Sequence, residues 1–136
     1  MSEIQIHLVP PTELSQPFWD AAGEKRLLVQ WCPACDRGIF YPREACPSCL
    51  GTTLEWRESA GTGVVYACTR AHHEALTSVI GQPPFLTALV DLDDGVRMPT
   101  VLVDVDVDDV VEAIGRPVRV RWTDVNRRTY PVFGPA

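Results

Sequence analysis

No apolar run in this chain approaches the roughly 20 residues that a membrane-spanning helix needs, which argues against a spanning segment. The opening Met1-Ser2-Glu3 carries neither a basic and apolar secretory leader nor an acylation signal, so the expected compartment is the cytoplasm. Basic residues are in deficit: 12 Lys and Arg stand against 18 Asp and Glu, a net charge of −6. Binding to a phosphate backbone requires a positive groove, so the balance weighs against a nucleic-acid module, the main alternative for a chain of this kind. Nucleophile elbow, phosphate loop and dinucleotide fingerprint are all missing. His72-His73-Glu74 comes nearest to an acid–base cluster. Adjacent strand residues face opposite sides, however, so the two imidazoles do not act together, and a loop mouth at a strand end is expected. Asp104, Asp106, Asp108, Asp109 and Glu112 lack the spacing of a calcium loop and read as a helix cap with a solvated face.

What is present starts with cysteine. Five is an odd count, and a reducing compartment does not favour disulfides. Four of the five form two C-x-x-C pairs, Cys32-Pro33-Ala34-Cys35 and Cys46-Pro47-Ser48-Cys49, with ten residues between them. Each short turn curls the backbone so that two thiolates face one point. Two turns side by side offer Cys32, Cys35, Cys46 and Cys49 as a tetrahedron, the closed four-sulfur ligation of a structural zinc ion. A single iron fits the same ligands and spacing does not separate the two metals. Zinc is favoured because nothing nearby suggests electron transfer. Cys68 reads as a small buried residue within a strand, not as a nucleophile.

The pattern predicts a mainly β chain. Residues 1–26 form an N-terminal arm and a short helix, 27–58 the ribbon, and 59–136 a small closed barrel of the OB type, a small sandwich being the alternative. The helix lies between Thr12 and Gly23, with Ser15 as N-cap, Pro17 in the first turn and Gly23 as the stop. Its aromatic pair Phe18 and Trp19 must pack on this chain or on a partner, because so short a helix does not stand alone in water. Barrel strands are expected at Val64–His72, Phe85–Leu92, Val96–Val103 and Val118–Val125. Asp94-Gly95 marks a hairpin, Pro99 an edge or bulge. Asp106 to Gly115 reads as a helix with Val107, Val110, Val111 and Ile114 inward. The 12 prolines are expected to fall mostly between segments.

Leu27-Leu28-Val29-Gln30-Trp31-Cys32-x-x-Cys35 and Tyr41-Pro42-Arg43-x-x-Cys46-Pro47-x-Cys49 follow a helix bearing Trp19, and Gly61-x-Gly63-Val64-Val65-Tyr66 follows them. With Pro84-Phe85-Leu86, Gly95-Val96-Arg97, Gly115-x-Pro117-Val118 and Phe133-x-Pro135-Ala136, this order resembles the DUF35 family from Phe18 to Ala136. Asp36 departs from it, standing where the family usually has Gly. The resemblance implies a rubredoxin-like zinc ribbon joined to an OB-fold. It also implies a non-catalytic subunit within a hetero-oligomer, whose companions are thiolase-like enzymes, lipid-transfer-type aldolases of steroid side-chain breakdown or MaoC-like hydratases. Phe18, Trp19, His72 and His73 are then the candidate partner surface. Arg119, Arg121, Arg127 and Arg128, gathered in one stretch of an acidic chain, are the candidate contacts for the phosphates of coenzyme A, since guanidinium groups suit phosphate. Outward arginines also serve solubility alone.

Overall fold

The computed structural model describes residues 11–72, 84–125 and 128–136. Helix α1 (Gln16–Gly23) precedes a three-stranded antiparallel sheet of β1 (Leu28–Cys32), β2 (Arg37–Ile39) and β3 (Glu55–Glu58), in the order β2-β1-β3. A closed five-stranded barrel follows: β4 (Thr62–Ala71), β5 (Phe85–Leu92), β6 (Arg97–Leu102), β7 (Pro117–Val125) and β8 (Arg128–Pro135), in the order β4-β5-β6-β8-β7. A single helical turn, α2 (Val110–Ala113), crosses between β6 and β7. No helix among the described residues is long and apolar enough to cross a membrane.

Local chemistry accounts for most boundaries. Along β5, Leu86, Ala88, Val90 and Leu92 are buried while Thr87, Leu89 and Asp91 are only partly covered, the period of a half-buried strand. Gly95 takes φ 88° at the turn into β6, a conformation that costs glycine nothing. At α1, Ser15 occupies the N-cap position but its Oγ caps no helical N–H; it accepts instead from the Thr12 N–H at 3.0 Å. The left-handed residue that ends this helix is Lys25, at φ 59°, and not Gly23.

The expected helix from Asp106 to Gly115 shrinks to one turn. Asp106 Oδ1 accepts from the Asp108 N–H at 2.9 Å and holds a turn ahead of it. Val107 and Val110 pack on the core, but Val111 and Ile114 are exposed rather than inward. Backbone bonds Gly115 N–H to Val65 O and Val65 N–H to Arg116 O tie the segment to β4, which fixes the face that it presents.

β8 is a full strand although it contains Pro131 and Pro135. Together with Pro99 in β6 and Pro117 in β7, these prolines lie inside strands and not between them. The register explains why they are tolerated. β6 meets β8 only at Leu102 and Phe133, and the Val103 N–H donates to Phe133 O. A strand residue directs its N–H and C=O to one side, so residues 131, 133 and 135 of β8 face this seam, as do 99 and 101 of β6 and Val103 just after it. Pro99, Pro131 and Pro135 therefore cost no ladder bond to β5 or β7, and they remove donors from edges that would otherwise invite pairing. Helix α1 and Phe40 lie over the same seam.

One apolar core runs through both halves of the fold. Phe18 of α1 and Leu27 and Val29 of the ribbon join Val65, Leu86, Val90, Met98, Val118 and Phe133 of the barrel in one cluster. The ribbon's remaining interior is Cys32, Ile39 and Cys46, with Cys35 and Leu54 packed against it.

Candidate metal centre and the surfaces around it

β1 and β2 form a hairpin with the first C-x-x-C turn at its tip, Cys32 pairing with Arg37. The second turn lies in the loop between β2 and β3, and a buried amide positions it. Gln30 Nε2 donates to Arg43 O, and Gln30 Oε1 accepts from the Arg43 N–H, both at 2.8 Å. One side chain thus gives the loop what a neighbouring strand would have given. Its only sequence signal is a polar residue at an inward position of an apolar strand.

The four Sγ atoms of Cys32, Cys35, Cys46 and Cys49 lie within 4.8 Å of one another. Cys32–Cys49 is 3.7 Å and Cys35–Cys46 is 3.8 Å, far too long for a disulfide. A tetrahedral zinc with Zn–S bonds of about 2.3 Å separates its sulfurs by about 3.8 Å, so the donor set fits that ion. All four positions would be filled by protein, which leaves none for a substrate. The Ser48 N–H reaches Cys46 Sγ at 3.4 Å. Backbone N–H groups of Cys49 and Ser48 bring the Cys46 thiol down to about 6, whereas contact with Cys49 and burial push Cys35 up to about 12. The backbone thus prepares one thiolate, and the crowding of four sulfurs opposes another until a cation arrives. Asp36 and Leu50, each directly after the second cysteine of its pair, take φ 52° and φ 62°. Asp36 adopts the left-handed turn that glycine would supply, so its departure from the family pattern leaves the knuckle intact.

The ribbon is seated on the barrel. A Cβ placed on Gly38 of β2 would collide with Val96 Cγ2, so bare backbone there lets β2 lie against the β5–β6 hairpin. Ser59 Oγ donates to Asp94 on that hairpin and accepts from the Gly61 N–H at 3.0 Å. Thr62 Oγ1 donates to Asp93 at 2.6 Å.

Of the candidate partner surface, Phe18 is in the core, Trp19 is half-buried and His72 is exposed at the end of β4; His73 lies outside the described residues. Trp19 stands edge-on to Phe18 at 4.9 Å and to Tyr130 at 5.1 Å. Phe18, Trp19, Phe40, Tyr41, Pro99 and Tyr130 line an apolar cleft of about 220 Å³ along the β6–β8 seam.

The candidate phosphate arginines are not brought to one point. Arg121 is committed to Asp104 and, at 3.2 Å, to Pro135 O. Arg128 lies over the Trp19 ring at 5.2 Å. Arg119 pairs with Gly134 near one end of the β7–β8 hairpin and Arg128 with Val125 at the other. Those levels are six strand positions apart, about 20 Å at the usual rise. Arg127 lies outside the described residues. Cys68 is partly buried, and that burial raises its thiol pKa, which disfavours the thiolate a nucleophile needs.

Comparison with known proteins gives matches across most of the chain. Residues 19–55 match the family model for the rubredoxin-like zinc ribbon domain of ChsH2, and residues 56–123 match that for the ChsH2 C-terminal OB-fold domain. A Thermomonospora curvata protein named "Probable enoyl-CoA hydratase alpha subunit" is 36% identical over 129 residues, 93% of this chain and 39% of its own length. A Methanocaldococcus jannaschii "DUF35 domain-containing scaffold protein" is 32% identical over 94 residues, 65% of this chain and 66% of its own. The chain thus spans well under half of the first relative and about two thirds of the second. Among solved structures, a chain of an "Ltp2-ChsH2(DUF35) aldolase" superposes with TM-score 0.80 at 33% identity, covering 94% of this chain and 98% of that one. A Sulfolobus solfataricus protein of the DUF35 family, described as of unknown function, superposes with TM-score 0.56 at 14% identity, covering 79% and 77%, which bears on fold alone.

Proposed function

Because the chain belongs to the DUF35 family of ChsH2-type proteins, we propose that it is a non-catalytic subunit of an acyl-CoA-processing enzyme, assembled with a thiolase-like, lipid-transfer-type aldolase or hydratase partner. The observation that carries this reading is the end-to-end match to one chain of a solved aldolase assembly, 98% of that chain at TM-score 0.80. The chemistry of the metal centre supports it. Four cysteines suited to closed zinc ligation build structure and leave no site to polarise a substrate. In this reading the ribbon braces and the barrel meets the partner, Trp19 and His72 standing at that surface.

The test is co-expression with the cognate enzyme. The isolated chain is expected to turn over no acyl-CoA, to co-elute with the partner as one species, and to be required for the partner's activity. An isolated chain that hydrolysed or cleaved acyl-CoA, or a partner equally active without it, would overturn the proposal.

A further inference from the structure

The arginines that the fold does gather come from three separate segments. Arg37 of β2, Arg43 of the loop held by Gln30 and Arg97 of β6 line a cleft of about 630 Å³ between the ribbon and the β5–β6 hairpin. Its floor and walls include Gly38, Phe40, Pro47, Ser48 and Gly95. Small-molecule sites typically occupy about 300–1,000 Å³, so the cleft has the size of a ligand site.

Its electrostatics oppose those of the whole molecule. Three arginines line it with one carboxylate, Asp91, and with Cys46 of the candidate metal centre, in a chain of net charge −6. Asp91 is already bound by Arg97 through two bonds, Nε–Oδ1 at 2.6 Å and Nη2–Oδ2 at 3.1 Å, which hold its carboxyl below the usual range. Arg97 is fixed further by stacking on the Tyr66 ring, 3.5 Å from its centroid. Arg37 donates one bond, to Ser48 Oγ at 2.9 Å. The Arg43 guanidinium makes no ion pair or hydrogen bond among the described residues. Meanwhile the Arg43 backbone is clamped on both sides by Gln30. A charged group with a fixed base and free donors, beside two oriented guanidinium groups, is arranged to receive an anion.

We propose that this cleft binds a small molecule carrying adjacent phosphates, a diphosphate, with Arg43 and Arg37 supplying the forked donors and Arg97 the oriented charge at the rim. The planar fork of arginine matches phosphate oxygens, and two or three of them span a diphosphate better than they serve a lone carboxylate. The inference does not depend on the accessory-subunit reading, because it is read on the chain alone without a partner enzyme.

Isothermal titration of the zinc-loaded full chain with inorganic pyrophosphate and, separately, with ADP tests it. Both probes are expected to bind, more weakly as salt rises. Tighter binding of ADP would assign the ligand to nucleotides, and equal binding to diphosphate alone. Arg43→Gln is expected to weaken either probe about tenfold, the loss of one charge-assisted contact. Arg37→Gln should act likewise, Arg43→Lys less, and Arg26→Gln, outside the cleft, not at all. No binding, or binding unchanged by Arg43→Gln and Arg37→Gln, would overturn the proposal. So would variants that lose zinc while binding pyrophosphate normally, since the arginines would then serve the charge of the thiolate centre.

Discussion

The ribbon's private interior is Cys32, Ile39 and Cys46, with Cys35 and Leu54 against them, whereas the barrel's runs through Val65, Leu86, Val90, Met98, Val118 and Phe133. Three of those five ribbon residues are candidate metal ligands. Without a cation little apolar area is left to oppose the entropy of ordering the chain, and below about 40 residues a hydrophobic core rarely suffices. The barrel carries no such dependence. Yet the border between the two is not the border between the sheets, because Leu27, just before β1, and Val29 of β1 belong to the barrel's cluster. The ribbon is therefore one strand anchored in the barrel and two knuckles anchored in a metal.

That comparison breaks first at the metal. One zinc per chain is expected by elemental analysis; one iron would assign a rubredoxin centre, and no metal would remove the basis for the ribbon. Chelation, or serine at Cys32, Cys35, Cys46 or Cys49, is expected to unfold the knuckles and β2. Amide exchange should stay slow in β5 and β7, while Cys68→Ser should be mild. Structural zinc sites contribute about 10–16 kcal/mol in small peptides, more than the ribbon's remaining contacts supply. Acid should act in the same direction. Protons compete with the cation for thiolates, so zinc is lost as pH falls. In the metal-free form Cys46, lowered from 9.0 to about 6, favours the folded knuckle by an amount that fades as pH falls from 9 through 6, while Cys35, raised to about 12, opposes it above pH 9. Simultaneous melting of β5 and the knuckles on chelation would show that the two halves form one cooperative unit.

The parts of the fold that were legible in sequence are those in which one local rule decides. Two C-x-x-C pairs, the alternation of Phe85–Leu92 and the Asp94-Gly95 turn all carried through, with β5 ending where the pattern ends. β8 was not legible, because Pro131 and Pro135 read as breakers unless it is known that their missing N–H groups face the seam. That depends on a pairing between β6 and β8, which no local rule supplies. Val111 and Ile114 misled for the opposite reason: a helical period was present, but strapping of residues 115 and 116 to Val65 limits the helix to one turn. The placement of the arginines was likewise not legible. Arg119 and Arg128, close in sequence, lie toward opposite ends of a hairpin, while Arg37, Arg43 and Arg97, far apart in sequence, line one cleft.

The contact between the halves is the next place to probe. Gly38→Ala puts a methyl group into Val96, a small-to-large change that typically costs about 1–3 kcal/mol. The expected result is a ribbon that melts earlier, with zinc still bound at low temperature. Val96→Ala combined with Gly38→Ala makes room and should recover part of the loss, although each change alone destabilises. Additive losses in the double variant would place the strain of Gly38→Ala elsewhere than against Val96.

The smallest effect lies in how the two halves make their turns. Positive φ falls on Gly61, Gly95 and Gly115 around the barrel, with Asp104 the non-glycine case, but on Asp36 and Leu50 in the knuckles. A left-handed conformation costs an ordinary L-residue about 1–2 kcal/mol. Asp softens that cost with its short polar side chain; Leu does not. Leu50 is 75% exposed and so gains little from burial in exchange. Backbone bonds close the turn, Leu50 N–H to Cys46 O at 2.8 Å and Cys46 N–H to Gly51 O at 2.9 Å, and with both cysteines of the knuckle ligated the strain would be borne by the same cation that orders the ribbon. Leu50→Gly should then stabilise the zinc-loaded ribbon by about 0.5–1 kcal/mol, once the greater flexibility of glycine in the unfolded chain is subtracted. Asp36→Gly should change it by less. The measurement is competition for zinc against a calibrated chelator, in which Leu50→Gly retains the metal at higher chelator concentration than the parent. Weaker retention would mean that the Leu50 side chain makes a contact worth more than the strain it imposes, and the knuckles would then be built no differently from the barrel's turns.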